Sequence, residues 1–189
     1  MSKTTLGPTT SFYPLPTLLI GAMVDGKPNV MTAVCGGIAN GKPPKLSVGI
    51  VRSRYTWNAI EVGAVISVNI PSASQAQKVD YCGVESGAKA DKIAKAGFTI
   101  FYGDLETAPL IEECPINMEC VVTQVLDFEM HSLLIVDVKQ THVSDDCMND
   151  GALDTSKVDP MLFLTAPTKK YFRVGEMLGD AYKMGLELK

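Results

Sequence analysis

The stretch GKPNVMTAVCGG, residues 26–37, combines the signals of a hairpin strand with an ending that an ordinary barrel strand lacks. Asp25-Gly26 is a hairpin turn signal that connects residues 17–24, TLLIGAMV, to the strand NVMTAVCG. Alternation along this strand places Asn29, Met31, Ala33 and Cys35 on one face and Val30, Thr32 and Val34 on the other. The final pair Gly36-Gly37 fits either a bent barrel strand or a strand end at which a flat ligand reaches backbone N–H groups.

The rest of the chain predicts strands more often than helices. Strands are predicted for LSVGIV (46–51), AVISVNI (64–70), INMECVVTQVLDF (116–128) and HSLLIVDVKQTH (131–142), and the last two should form a hairpin around residues 127–130. Helices are predicted for residues 53–63 with Ser53 as the cap, for 72–82, for 86–96 ending at Gly97, and for the tail from about residue 175. Sequential hairpins predict an antiparallel barrel, mainly β with added helices, in a single domain spanning residues 1–189.

Composition excludes several classes of protein. The chain has 189 residues, 46% of them apolar, and a net charge of −4 without a basic run, so we expect no binding to nucleic acid. The five cysteines form no CxxC motif, which is typical of reduced thiols in the cytoplasm. Neither a secretory signal nor an apolar run of membrane-spanning length is present, so we expect no contact with a membrane. The two histidines, His131 and His142, lack metal-ligand spacing, and we expect no metal site.

Three polar clusters carry the functional signal. VRSRYTWN, residues 51–58, places two arginines and two hydroxyls where a strand passes into a helix, which suits a phosphate group or simply a capped helix with exposed arginines. Ser67 and Asn69 share one face of a predicted core strand, which favours a polar ligand beside it. Cys82 fits either a small buried apolar residue or a reactive thiol.

The chain resembles the flavoredoxin branch of the flavin reductase-like, FMN-binding split-barrel family. The segments that carry the resemblance follow the family's order over about residues 10–185: GKPNVMTAVCGG, VRSRYTWNAI, SVNIP, VDYCGVESGAKADKIAKAGF, ECPINMECVV, HSLLIVDV and YFRVGEMLGDAYKMG. The resemblance implies a six-stranded antiparallel split β-barrel, a homodimer, and FMN held near the boundary between subunits. The tail helix would then contribute to the dimer.

The resemblance also assigns site residues. The isoalloxazine ring and ribityl chain should lie along Asn29, Met31, Thr32 and Ala33, and Asn69 should contact the ribityl chain or ring. The phosphate should be held by Arg52, Ser53, Arg54, Tyr55 and Thr56, with Arg52 contributing more than Arg54. The other side of the site should be closed by Cys82, Gly83, Ser86 and Lys92. The resemblance makes His131 a candidate for proton transfer, although its MHS context departs from the family's usual DHT.

The resemblance implies a flavoprotein oxidoreductase of the flavoredoxin type, which transfers electrons through FMN to a redox partner or a small acceptor. An NAD(P)H-dependent reductase of flavin or ferric complexes is an alternative within the family. A split-barrel protein that binds flavin without catalysis is an alternative of another class. The sequence contains no nicotinamide motif that would choose between the first two.

Overall fold

The computed structural model describes residues 1–188 of the chain. The predicted domain and tail helix end at residue 189, which lies outside the described residues. The strands are β1 Leu15–Pro16, β2 Leu18–Val24, β3 Lys27–Ala33, β4 Cys35–Gly41, β5 Pro44–Val51, β6 Val65–Ile70, β7 Ile100–Phe101, β8 Leu110–Ile111, β9 Ile116–Asp127, β10 His131–Val143, β11 Met148–Asn149, β12 Ala152–Leu153, β13 Met161–Leu164 and β14 Lys170–Arg173. The α-helices are α1 Ala76–Val84, α2 Lys92–Ala96 and α3 Thr155–Val158, and 3₁₀-helices span Tyr55–Ala59, Ala73–Gln75, Asp145–Cys147 and Met184–Leu188.

The main sheet closes on itself because its two edge strands are neighbours in sequence. It has seven strands in the order β3-β2-β6-β9-β10-β5-β4, and their pairings are antiparallel. Val34 alone separates β3 from β4, so the two edges of the sheet must lie close together. The mainly β, split-barrel prediction is confirmed, with seven strands in the sheet instead of six. Residues 26–37 form parts of both edge strands, not one strand with a bent end.

The barrel interior and the space under α1 hold two separate apolar clusters. Met31 and Ala33 point into the barrel, where they pack with residues such as Ile20, Val48 and Leu134. Val30 points the other way and belongs to a second cluster beneath α1 and α2, with Leu19, Val79, Cys82 and Cys114 among its members. The predicted alternation along β3 is therefore confirmed, and it determines which side chains face α1.

Gly36 gives room to a core side chain. A Cβ atom at this position would lie 2.5 Å from Cδ1 of the buried Leu18, whereas a Cβ atom on Gly37 would meet only Ser47 Oγ, at 3.9 Å. The packing of Leu18 thus accounts for Gly36, and a ligand lying on the strand is not needed to explain it.

Ser67 and Asn69 belong to a buried polar network. Asn69 Nδ2 donates to the carbonyl of Leu19 at 3.0 Å and to Ser67 Oγ at 2.9 Å. Its Oδ1 accepts from the backbone N–H of Ile111 at 3.2 Å and from Asn117 Nδ2 at 2.7 Å. Both donors and both lone pairs of this amide are therefore used. Asn69 thus has a structural role, and its contact with the ribityl chain or ring stays a prediction.

The helices in the first half are shorter than predicted. A 3₁₀-helix, Tyr55–Ala59, occupies the segment 53–63, and its N-cap is Arg54 rather than Ser53. The predicted helix at 72–82 appears as the 3₁₀-helix Ala73–Gln75 followed by α1. α2 begins only after Asp91, whose carboxylate accepts from Ala94 N, and it ends at Gly97 in the left-handed region as predicted.

The tail, residues 174–188, is not the predicted α-helix. It runs without regular structure to the short 3₁₀-helix Met184–Leu188. Gly179 has φ 148° and Tyr182 has φ 64°, and neither value is compatible with an α-helix. An isolated segment of this length is a marginal helix in water, and Met177, which is 88% exposed, shows that its apolar side chains lack a packing surface in the single chain. No helix within residues 1–188 combines the length and apolar character needed to cross a membrane.

Candidate functional site

A small cavity lies where β3, the segment after β5 and the C-terminal end of α1 converge. We call it the β3–α1 cavity, and its volume is about 110 Å³. The residues that line it are Met31, Thr32, Ser53, Arg54, Tyr55, Thr56, Cys82, Gly83, Val84, Glu85, Ser86, Gly87 and Lys92. Whole small-molecule sites usually enclose roughly 300 Å³ or more. The cavity therefore suits one end group of a larger ligand.

Ten of the predicted site residues meet at this cavity, and five do not. Those that line it are Met31, Thr32, Ser53, Arg54, Tyr55, Thr56, Cys82, Gly83, Ser86 and Lys92. Asn29 lies behind the wall, in contact with Thr56, and Ala33 packs in the barrel core. Asn69 belongs to the buried network, and Arg52 and His131 lie at the β9–β10 hairpin. Sequence segments about 20 to 60 residues apart are thus assembled at one cavity, as the motif order implied.

Close packing of β3 against α1 fixes two walls of the cavity. The Thr32 hydroxyl donates to the Val79 carbonyl of α1. A Cβ atom at Gly83 would lie 3.2 Å from Thr32 Cβ, so glycine allows the helix end to approach the strand closely.

Two cations are held at the C-terminal end of α1. Lys92 Nζ donates to the Cys82 carbonyl at 2.9 Å, and an Arg54 guanidinium nitrogen, Nη1, donates to the Gly83 carbonyl at 2.9 Å. The last carbonyls of a helix lack intrahelical partners and carry partial negative charge, which favours cations there. The end of α1 therefore positions an ammonium and a guanidinium on the same cavity.

The Lys92 ammonium is buried without an anionic partner. Lys92 is 4% exposed, and the ion pairs formed within residues 1–188 do not include it. The Cys82 carbonyl is its one hydrogen-bond acceptor there, although an ammonium has three donors. Burial lowers the pKa of Lys92, the nearby Arg54 charge lowers it further, and Cys82 and Glu85 oppose that shift. An anion in the cavity would supply the missing charge and the missing acceptors.

Thr56 presents a donor to the same space. It is 1% exposed, and its Oγ1 accepts a 2.6 Å hydrogen bond from Asn29 Nδ2. Because the hydroxyl oxygen accepts from Asn29, its own proton is free to donate to another group.

Arg52 is directed away from the cavity. Its Nη2 donates to the Phe128 carbonyl at 2.6 Å, and its Nη1 lies 3.8 Å from an Asp127 carboxylate oxygen. Arg54, two residues later, lines the cavity. The geometry thus favours Arg54 over Arg52 as a ligand of the phosphate, the reverse of the order expected from the sequence.

Cys82 is a poor nucleophile. The residue is 1% exposed, and burial raises the pKa of its thiol to about 11, although the Lys92 charge opposes that shift. Since the thiolate is the reactive form, a buried thiol of this kind packs as a small apolar group.

Sequence reasoning missed three residues of the cavity wall and one buried carboxylate. Val84, Glu85 and Gly87 follow α1, and only their position next to Cys82 and Ser86 could have indicated them. Glu119 is fully buried on β9, where it accepts from the backbone N–H of Asp104 at 2.9 Å and contacts His142 Nε2 at 2.7 Å. Within residues 1–188 no cluster of three or more His, Cys, Asp or Glu residues could hold a metal ion.

The chemistry of the donors fits the phosphate end of a flavin mononucleotide. Guanidinium and ammonium groups form strong charge-assisted hydrogen bonds to phosphate oxygens, and a hydroxyl can donate one more. Arg54, Lys92 and Thr56 supply one of each on a cavity of end-group size. Met31 also borders the cavity, although its side chain packs into the barrel core.

Comparison with known proteins agrees with this chemistry. The model of the flavin reductase like domain matches residues 10–166, most of the chain. The chain belongs to the flavin reductase-like family. Flavoredoxin from Methanosarcina acetivorans is 36% identical, with all of both chains covered and a TM-score of 0.93. Flavoredoxin of Desulfovibrio vulgaris (Miyazaki F) is 32% identical over 97% of this chain and 100% of that one, with a TM-score of 0.89. The predicted flavoredoxin branch of the family is thereby confirmed.

One further relative and one further solved structure are similar to the chain. An uncharacterized protein of Archaeoglobus fulgidus is 35% identical over 143 residues, which are 75% of this chain and 79% of that protein. An FMN-binding protein from Thermus thermophilus, solved with bound 1-cyclohex-2-enone, shares the fold at 22% identity, with 95% and 99% of the chains covered and a TM-score of 0.76. Membership of the flavin reductase-like family supports a flavin-binding redox role for this chain.

Proposed function

We propose that the chain binds FMN with its phosphate in the β3–α1 cavity, and that it works as a flavin-dependent oxidoreductase of the flavoredoxin type. Electrons would pass through FMN to a redox partner protein or a small acceptor. The observation that carries the proposal is the buried Lys92 ammonium, which has no carboxylate partner within residues 1–188. An unpaired buried charge is costly, and a ligand of opposite charge would offset that cost.

The donor set distinguishes FMN from riboflavin. The phosphate of FMN would accept from Lys92, Arg54 and Thr56, whereas riboflavin carries only a neutral hydroxyl at that end. A hydrogen bond to a charged group contributes about 1.5–3 kcal/mol. Two such bonds, even when part of the gain is lost to solvent screening at the exposed Arg54, favour FMN by well over tenfold.

Bound flavin supplies the redox chemistry, because its ring system accepts and releases one or two electrons. The residues of the chain bind and orient it. Cys82 supplies an apolar wall, and the C-terminal end of α1 fixes the two cations. The raised pKa of the Cys82 thiol supports a packing role for it. Proton transfer by His131 stays a prediction, since this residue starts β10 opposite Val51 and does not line the cavity.

We also propose that the chain forms a homodimer in the cytoplasm. The exposed apolar side chains of the tail support a second copy as the partner, because Met177, Leu178 and Tyr182 are between 88% and 98% exposed in the single chain. The five cysteines are all free thiols, which fits a reducing compartment.

The test is a flavin titration of the apoprotein. The purified protein should be yellow, and the apoprotein should quench FMN fluorescence at one flavin per chain. Riboflavin should bind at least tenfold more weakly. Equal affinity for the two flavins would contradict the phosphate site, and unchanged FMN fluorescence would contradict flavin binding as a whole.

A second experiment separates the modes of electron transfer. The holoprotein is mixed anaerobically with NADH or NADPH, and the flavin absorbance is followed. An electron carrier should stay oxidised until a reduced electron-donor protein is added, whereas a nicotinamide-dependent reductase bleaches with either nucleotide alone.

A further inference from the structure

Gly87 packs against Tyr55, which lines the β3–α1 cavity, and against Asn29, which lies behind its wall. A Cβ atom at position 87 would lie 2.8 Å from Cδ1 of Tyr55 and 2.9 Å from Cγ of Asn29, and it would meet Asn29 Oδ1 closer still. Real Cβ atoms almost never make contacts under 3.0 Å, so any side chain here must displace its neighbours. Gly87 is not among the glycines with positive φ. The requirement for glycine is therefore one of space.

The Asn29 side chain lies between Gly87 and Thr56 and contacts both. Asn29 is 7% exposed, and its Oδ1 faces Gly87 while its Nδ2 donates to Thr56 Oγ1 at 2.6 Å. An oxygen against a Cα–H group makes a weakly favourable contact that an NH₂ group would not make. The backbone of Gly87 thus favours the orientation of the amide in which nitrogen faces Thr56.

The orientation of the amide determines what Thr56 can do. With nitrogen facing it, the Thr56 oxygen acts as an acceptor, and its proton is left to donate into the cavity that Arg54 and Lys92 also line. With the amide oxygen facing it, the Thr56 proton would be used by Asn29, and lone pairs would face the phosphate.

We propose that Gly87 and Asn29 are positioning residues that keep the Thr56 hydroxyl as a hydrogen-bond donor to the phosphate of the cofactor. The proposal rests on the proposed function, because it needs the phosphate in the β3–α1 cavity. Gly87 acts through Asn29, and Asn29 acts through Thr56. Neither residue need touch the flavin ring in this role.

The test compares FMN with riboflavin in four single variants and one double variant of the full chain. Gly87→Ala displaces the Asn29 amide, and Asn29→Asp replaces the donor by a group that can only accept. Thr56→Val removes the hydroxyl at nearly constant shape. Gly41→Ala is the matched control, since a Cβ atom there has nothing within 4 Å and the backbone needs no positive φ.

The expected readout is the ratio of riboflavin Kd to FMN Kd, measured by fluorescence titration of the apoproteins. Loss of one hydrogen bond to a charged group should lower this ratio by about tenfold in Gly87→Ala and in Thr56→Val, and by at least as much in Asn29→Asp. Gly41→Ala should leave it unchanged. Gly87→Ala added to Thr56→Val should change the ratio by less than about twofold, because the hydroxyl is already gone.

Three outcomes would overturn the proposal. If Gly87→Ala weakens FMN and riboflavin equally, the glycine supports only the loop. If it still lowers the ratio in the Thr56→Val background, the path does not run through Thr56. If Gly87→Ala does not fold, Asn29→Asp decides, and an unchanged ratio there refutes the proposal. The phosphate site is tested separately: if the wild-type protein prefers FMN to riboflavin, the proposed function stands whichever of these outcomes is found.

Discussion

Two arginines, two residues apart, provide a matched pair for testing the phosphate site. Arg52 and Arg54 are both exposed, and each donates to a backbone carbonyl, but only Arg54 lines the β3–α1 cavity. Substituting either by alanine removes one positive charge from nearly the same region of the surface. A general effect of net charge on flavin binding would therefore be similar in both variants.

The expected difference follows from where each guanidinium lies. A hydrogen bond to a charged partner contributes about 1.5–3 kcal/mol, and the exposure of Arg54 places it at the lower end of that range. Arg54→Ala should therefore weaken FMN by about tenfold. Arg52→Ala should change FMN affinity by less than about twofold, since its contacts are with the β9–β10 hairpin at Phe128 and Asp127.

The assay is a fluorescence titration of apoprotein with FMN and riboflavin at one fixed salt concentration. Riboflavin serves as the internal control, because it lacks the phosphate, and both variants should bind it as wild type does. Thermal unfolding of each apoprotein checks that the fold is retained. The reasoning is refuted if Arg52→Ala causes the tenfold loss while Arg54→Ala does not, or if Arg54→Ala weakens both flavins equally.

Three other predictions concern protonation, thiols and assembly. Burial lowers the pKa of Lys92 in the free protein, and this pKa should rise when phosphate binds, so FMN binding should take up a proton. The preference for FMN over riboflavin should therefore fall as the pH rises through the lowered pKa towards 10.5. A preference that does not vary with pH up to 10.5 would contradict the role of the ammonium. Cys82→Ser should keep FMN bound and electron transfer active, whereas loss of electron transfer with FMN still bound would show that the thiol takes part chemically. In the wild-type protein, Ellman's reagent should label the exposed Cys35 before the four buried cysteines. Light scattering of the holoprotein at micromolar concentration should give twice the chain mass, and truncation after Arg173 should shift it towards the monomer; a full-length monomer with flavin bound would rule out the dimer.

The hairpins could be predicted because their signals are local. Asp25 and Gly26 have φ values of 51° and 74°, the left-handed pair that an Asp-Gly hairpin turn requires. β9 and β10 pair around residues 127–130 as the sequence indicated. The chain's passage at Val34 from one edge of the sheet to the other could not be predicted in this way, because the apolar alternation continues across it.

The site was predicted less completely for reasons that are also physical. The segment between β5 and the 3₁₀-helix at Tyr55 is a turn, so strand periodicity could not decide which arginine faces the cavity. Asn69 looked like a ligand residue because its partners, Ile111 and Asn117, come from segments more than 40 residues away. The tail looked helical because its apolar spacing fits a helix, although spacing alone provides no surface to pack on.

The amide network around Asn69 also restricts how the barrel can assemble. Asn69 stands opposite Asn117 between β6 and β9, and opposite Leu19 between β6 and β2. A slip of one residue between these strands would turn an amide into the apolar interior and leave its partners without hydrogen bonds, at about 1–3 kcal/mol for each buried polar group. Several such losses together would exceed what an alternative apolar packing could recover. The network therefore selects one strand register among those that apolar packing alone would allow. This register aligns β2 and β3 with the end of α1 that holds the two cations.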